Sequence, residues 1–199
     1  MSALEEKIGR PLPDPNNDDS FEWDELCTEL GVSCSHPRTT ARLLDKLIGH
    51  YLESECVNPT FLMNHPKILS PLAKEHTCPS KKGLTERFEL FICGMEVSNG
   101  YSELNDPIDQ NSRFLSQSLA KEKGDVEAQS ANQDFVEALE YGLPPTVGCG
   151  IGIDRVIMLL SNVHQIRVLF LQTDFYLLLV VLTLFNLLYN NRKSFYFRS

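Results

Sequence analysis

The segment ERFELFICGMEVSNGYSELNDP, residues 86–107, constrains this chain more than any other: it sets three glutamates, Glu89, Glu96 and Glu103, inside a stretch otherwise rich in strand-forming residues. Strand interiors are depleted in Glu, so these placements require a cause. Cys93-Gly94 fits a two-residue hairpin turn, with Gly94 supplying a positive φ. Strands are then predicted at about Arg87–Ile92 and Met95–Glu103, pairing Ile92 with Met95, Phe91 with Glu96, and Glu89 with Ser98. Alternation places Glu89 and Glu96 on one face. Glu103 would point the other way in an unbroken strand. A bulge at Asn99-Gly100 would reset the parity and bring Tyr101 and Glu103 to the same face.

A face of partly buried carboxylates is costly unless cations occupy it. Two neighbouring carboxylates suit Mg²⁺, a hard ion commonly shared with nucleotide phosphates. A third beside an aromatic ring suits an ammonium group. A solvent-facing acidic strand edge, where charge blunts aggregation, explains the same pattern equally well.

A second segment, GCGIGIDR at 148–155, alternates Gly148, Gly150 and Gly152 and ends on Arg155. Such a strand, expected over Val147–Ile153, has one face bare of side chains, on which a flat ring or a backbone could lie. Arg155 at the start of the following helix would add to its positive end and suit a polyphosphate. The run lacks the spacing of a dinucleotide fingerprint or a P-loop. A glycine-lined packing seam with a surface arginine is the competing explanation.

The remaining pattern predicts an α+β domain with a mostly antiparallel sheet flanked by helices. Residues 1–20, with Pro11, Pro13 and Pro15, read as an irregular lead-in. Short helical spacing follows at Phe21, Leu26 and Leu30. A stronger helix runs from Thr39 or Thr40 to about Glu55 on Leu43, Leu44, Leu47, Ile48 and Leu52. After a β-rich stretch at 57–63 and the acidic hairpin, a polar segment spans Asn105–Ser112. Helices are expected at about Arg113–Lys123 and Asn132–Glu140, the latter stopped by Gly142 and Pro144-Pro145.

Charge narrows the partners. With 27 acidic against 18 basic residues the net charge is −9, which argues against a self-sufficient nucleic-acid binder. The six cysteines form no zinc-ligand spacing and fit reduced thiols, so a cytoplasmic location is expected. The run from Val168 to Tyr189 is almost wholly apolar and has the length of a membrane span. A domain over 1–167 and a divergent hydrophobic tail over 168–199 are therefore expected, with membrane contact through 168–189 as one reading of that tail.

The stretches PRTTARLLDKL (37–47), NPTFLMNHPKILSPLAKEH (58–76), LTERFELFICGMEVSNGYSELNDP (84–107) and FVEALEYGLPPTVGCGIGIDRVIMLL (135–160) together resemble the class II lysyl-tRNA synthetase family. The resemblance covers roughly residues 1–167 and implies part of the class II catalytic domain. It implies a ligase that activates lysine with ATP and transfers it to tRNA(Lys). Glu89 and Glu96 would hold Mg²⁺ bridging the ATP phosphates, and Glu96 would also lie near the nucleotide. Glu96, Asn99, Tyr101 and Glu103 would line the lysine pocket, with Glu103 taking the ε-ammonium. Gly152, Ile153, Asp154 and Arg155 match the third class II motif, with Arg155 as the catalytic cation on the terminal phosphate of ATP. The family is homodimeric. Its dimer-forming first motif, its second motif and its anticodon-binding domain have no counterpart in these 199 residues. Impaired activity of the chain by itself is therefore expected, the alternative being an inactive fragment that binds a partner or a membrane.

Overall fold

The computed structural model describes residues 1–16, 20–125, 128 and 130–167. The expectations for the hydrophobic tail fall on residues 168–199 and lie outside the described residues. Among the described residues no helix is long and apolar enough to cross a membrane. The chain divides after Ile151 into two units.

The first unit is seeded by an apolar helix cluster. Helix α1 (Ser2–Ile8) forms where an irregular lead-in was expected. Met1, Leu4 and Ile8 recur at helical spacing, and Leu4 is almost wholly buried. Helix α2 (Phe21–Glu29) turns its Trp23, Leu26 and Cys27 inward. Phe21, assigned to that apolar face from sequence, is 62% exposed. Thr39 caps α3 (Thr40–Tyr51) by accepting from the Arg42 amide, and Leu43, Leu44, Leu47 and Ile48 form its buried stripe. The helix stops at Tyr51 rather than near Glu55; a 3₁₀ turn at Glu53–Glu55 replaces its last turn.

Strand β1 (Thr60–Met63) opens a four-stranded antiparallel sheet, completed in the order β1-β2-β3-β4 by β2 (Arg87–Ile92), β3 (Met95–Ser102) and β4 (Val147–Ile151). Leu62 of β1, with Ile68 and Leu69 from the 3₁₀ turn that follows, packs onto the helix cluster. One face of the sheet is thereby anchored to the α core. The other face keeps Phe61, Met63, Val147 and Ile151 largely exposed.

Helix α4 (Pro107–Glu122) begins six residues earlier than its apolar spacing suggested. Asp106 accepts from the Ile108 and Asp109 amides, and Pro107 occupies the first helical position, where its missing N–H costs nothing. Asn132 likewise caps α5 (Gln133–Glu140) through the Phe135 amide, and Phe135 meets Phe114 of α4 edge-on at 5.8 Å. The second unit contains α6 (Ile153–Leu160), capped by Gly152.

Candidate functional site

The hairpin between β2 and β3 forms at Cys93-Gly94, and both residues adopt positive φ (53° and 72°). Ile92 pairs with Met95 and Phe91 with Glu96, as expected. Beyond that the register departs from expectation. Leu90 lies opposite Ser98, so Glu89 faces Asn99 rather than Ser98. The bulge therefore sits at Val97-Ser98, not at Asn99-Gly100. Both bulged residues are buried, which explains the position: each gains an interior environment that a regular alternation would deny one of them. Gly100 serves another purpose. A Cβ there would lie 2.7 Å from the Phe88 ring and 3.0 Å from the Gly148 carbonyl.

The extra residue still brings the acids together. Glu89 and Asn99 form one cross-strand row, continued on β4 by Gly150; Arg87 and Tyr101 form the next, continued by Gly148. Glu103 follows just past β3, its amide donating to the Thr146 carbonyl at 2.9 Å. Glu89, Glu96, Asn99, Tyr101 and Glu103 thus share one face, bordered by two glycines without side chains. Gly152, expected to extend that bare run, instead caps α6 in the second unit. Ile153, Asp154 and Arg155 make up the first turn of α6, where the Asp154 carboxylate complements the helix dipole.

Glu103 is the acid most available to a ligand. A Cβ on Gly148 would collide with its Oε1, so its carboxylate lies directly over the bare strand. Among the described residues that carboxylate has no hydrogen-bond or ion-pair partner. Burial pushes its pKa above the ordinary Glu value. Tyr101 is raised too, by burial first and by the Glu103 charge second. A half-buried acid beside an aromatic hydroxyl, with no cation partner among the described residues, suits an external one.

Glu89 is treated differently. Arg87 donates from Nη2 to its Oε1, and the His65 Nε2 lies 3.7 Å from its Oε2. His65 Nε2 also lies 3.1 Å from the Leu62 carbonyl, which can only accept, so this nitrogen carries the proton. Burial raises Glu89, the Arg87 guanidinium pulls against that, and Glu96 adds to it. Glu53, raised mainly by burial, also feels Asp45, Glu89 and Glu96. Asp45, Glu53, Glu89 and Glu96 thus bring several carboxylates within electrostatic reach of one another. Among the described residues no group of three or more His, Cys, Asp or Glu is arranged as a metal cage. Two carboxylates alone do not make a dedicated protein cage, and they fit an Mg²⁺ whose remaining ligands would be phosphate and water.

Sequence reasoning missed Arg87 and His65. Arg87 was accessible by alternation, since it lies two residues before Glu89 on the same strand and so on the same face. His65 carried no such signal, because it stands in the loop after β1.

The family model described as class II tRNA synthetases (D, K and N) matches residues 13–173. The probable cytoplasmic lysine–tRNA ligase of Encephalitozoon cuniculi is 55% identical over 173 residues, covering 84% of this chain and 34% of that protein. A lysine–tRNA ligase of Cladosporium cladosporioides is 46% identical over 171 residues, and one of Porphyromonas gingivalis 47% over 167; each match covers 84% of this chain and 28% of the relative. The chain thus spans about a third or less of the length of these curated relatives.

Proposed function

Because the chain belongs to the class II tRNA synthetases (D, K and N), we propose that it carries the lysine and ATP subsites of a lysine–tRNA ligase. Its substrates are lysine, ATP and tRNA(Lys). The lysine carboxylate attacks the α-phosphate of ATP, releasing pyrophosphate and leaving lysyl-adenylate, and the lysyl group then passes to a tRNA hydroxyl with release of AMP. Catalysis of this kind rests on positioning and charge neutralisation rather than on a protein nucleophile.

The observation that carries this reading is the Glu103 carboxylate, without a partner among the described residues and lying over Gly148. It receives the lysine ε-ammonium, with the Tyr101 ring beside it. Asn99 and Glu96 line the pocket toward the reacting end. Glu89 and Glu96 would hold Mg²⁺, which would neutralise phosphate charge. Arg155, with Gly152, Ile153 and Asp154, supplies the cationic helix start for the terminal phosphate. The names of the relatives support lysine over aspartate or asparagine as the amino acid, and three of the proteins similar to this chain are named cytoplasmic.

Two measurements test the subsites separately. Titration with Mg²⁺·ATP should show roughly tenfold weaker binding in Glu89→Ala, the loss of one charged ligand. Unchanged affinity would remove Glu89 from the metal pair. Gly148→Ala should leave unfolding within about 0.5 kcal/mol of the parent, since only the flexible end of Glu103 must move. The same change should weaken L-lysine binding about tenfold by displacing that carboxylate. Calorimetric titration reads both, and undiminished lysine affinity would contradict the placement of Glu103.

A further inference from the structure

We infer that Arg87 is a positioning residue that fixes which end of the Asn99 amide faces the ligand. The inference rests on the lysine reading above, including its placement of the reacting end near Asn99, and adds the residue that orients the amide.

The Arg87 side chain is mostly buried and uses four of its five N–H groups at once. Nη1 donates to the Leu69 carbonyl at 2.7 Å and to Ser70 Oγ at 2.9 Å. Nη2 donates to Glu89 Oε1, and Nε donates to Asn99 Oδ1 at 3.2 Å. A guanidinium has no acceptor, so the atom it meets on Asn99 must be the oxygen. The amide nitrogen is thereby turned away from Arg87 and presents its two N–H groups as donors. Asn99 is then suited to an oxygen acceptor and unsuited to an ammonium.

Glu103 has the opposite preference, and it stands four residues further along the same face. Four strand residues span roughly 13 Å, which leaves room for one extended lysine between the two side chains. On the lysine reading the substrate carboxylate meets Asn99 and the ε-ammonium Glu103, and the amide must then present its N–H groups, as the Arg87 contact makes it do. Asn99 lies directly opposite Glu89, so the carboxylate arrives beside the acids proposed for metal-bound phosphate. One guanidinium, pinned to the buried Ser70, thus sets both the amide orientation and the neighbouring acid. Lysine in its place keeps the charge but loses the planar fork that reaches four acceptors.

The test is calorimetric titration of the full chain with L-lysine and with cadaverine, which has both ammonium groups but no carboxylate. Arg87→Lys and Asn99→Ala should each weaken L-lysine binding about tenfold and leave cadaverine within about twofold, and the double variant should be no weaker than either single one. Asn99→Asp preserves shape and the Arg87 contact but replaces the donor with an acceptor. It should reject L-lysine more strongly than Asn99→Ala does while retaining cadaverine, and it decides the matter if Arg87→Lys does not fold by circular dichroism. Equal losses for both ligands, or additive losses in the double variant, would overturn the role assigned to Arg87. If the parent chain binds cadaverine and lysine equally, the carboxylate contact is wrong although Glu103 stands. If it binds neither, the ligase reading fails and the Arg87 role with it.

Discussion

Glu103→Gln is expected to weaken L-lysine binding roughly 30- to 100-fold, the largest functional effect of any single substitution in this chain. The figure corresponds to about 2–3 kcal/mol, a typical loss when one partner of a desolvated charge pair is neutralised. Gln keeps the size and the hydrogen-bonding capacity of Glu, so the change isolates charge. The fold should not suffer. Burial raises the Glu103 pKa, so the folded state favours its neutral form. Such a group contributes stability at low pH that is lost as pH rises through the raised value. At neutral pH the variant should therefore be as stable as the parent or slightly more so. The same shift sets a pH dependence for the ligand. Ammonium binding needs the ionised acid, so lysine affinity should fall as pH drops through that raised value and stay flat in Glu103→Gln. Calorimetric titration across pH reads both; a parallel pH dependence in the variant would assign the titration to another group.

Arg113→Met should cost about 3 kcal/mol of folding stability, measured by urea unfolding. Arg113 is buried on α4. Its Nη1 donates to the Ser70 and Ala73 carbonyls at 3.2 and 2.7 Å, and its Nε and Nη2 clasp Asp109 at 3.1 and 2.6 Å. Methionine fills the volume but leaves two carbonyls and a half-buried carboxylate short of donors. The segment it releases matters to the site. Ser70 holds Arg87, and Ala73 forms a backbone bridge to Glu103. The hydrogen bond from Arg113, with help from Lys67, keeps the Asp109 carboxyl below its ordinary range. A depressed carboxyl contributes stability that is present above its unfolded pKa and lost as pH falls through the folded one. The parent should therefore resist acid further than Arg113→Met, whose unfolding should begin at higher pH. Equal stability of the two proteins would mean that the Ser70–Ala73 segment is held by other contacts.

Much of this site was legible because its signals are local. Gly94 and the flanking alternation specify the hairpin and its first pairs. The glycines at 148 and 150 imply a bare strand face whatever lies opposite. What escaped was decided by packing. A glycine in a strand marks a bulge only as a tendency, and here Gly100 yields space to Phe88 while the burial of Val97 and Ser98 sets the bulge. Helix α1 was hidden by the prolines that follow it, although Met1, Leu4 and Ile8 carry its spacing. Helix α4 announced itself in Asp106-Pro107, a cap and a first-turn proline, rather than in apolar periodicity. Arg87 was visible in sequence but acquires meaning only when its four acceptors, drawn from three segments, come into view.

The central claim is that Glu103, at the end of the glycine-bordered face, selects an ammonium. Titration of the full chain with L-lysine and L-norleucine, identical but for the terminal amine, tests it most directly. The account predicts that lysine binds at least 30-fold more tightly and that Glu103→Gln abolishes the difference. Equal affinities in the parent, or a preference for lysine that survives in Glu103→Gln, would contradict it.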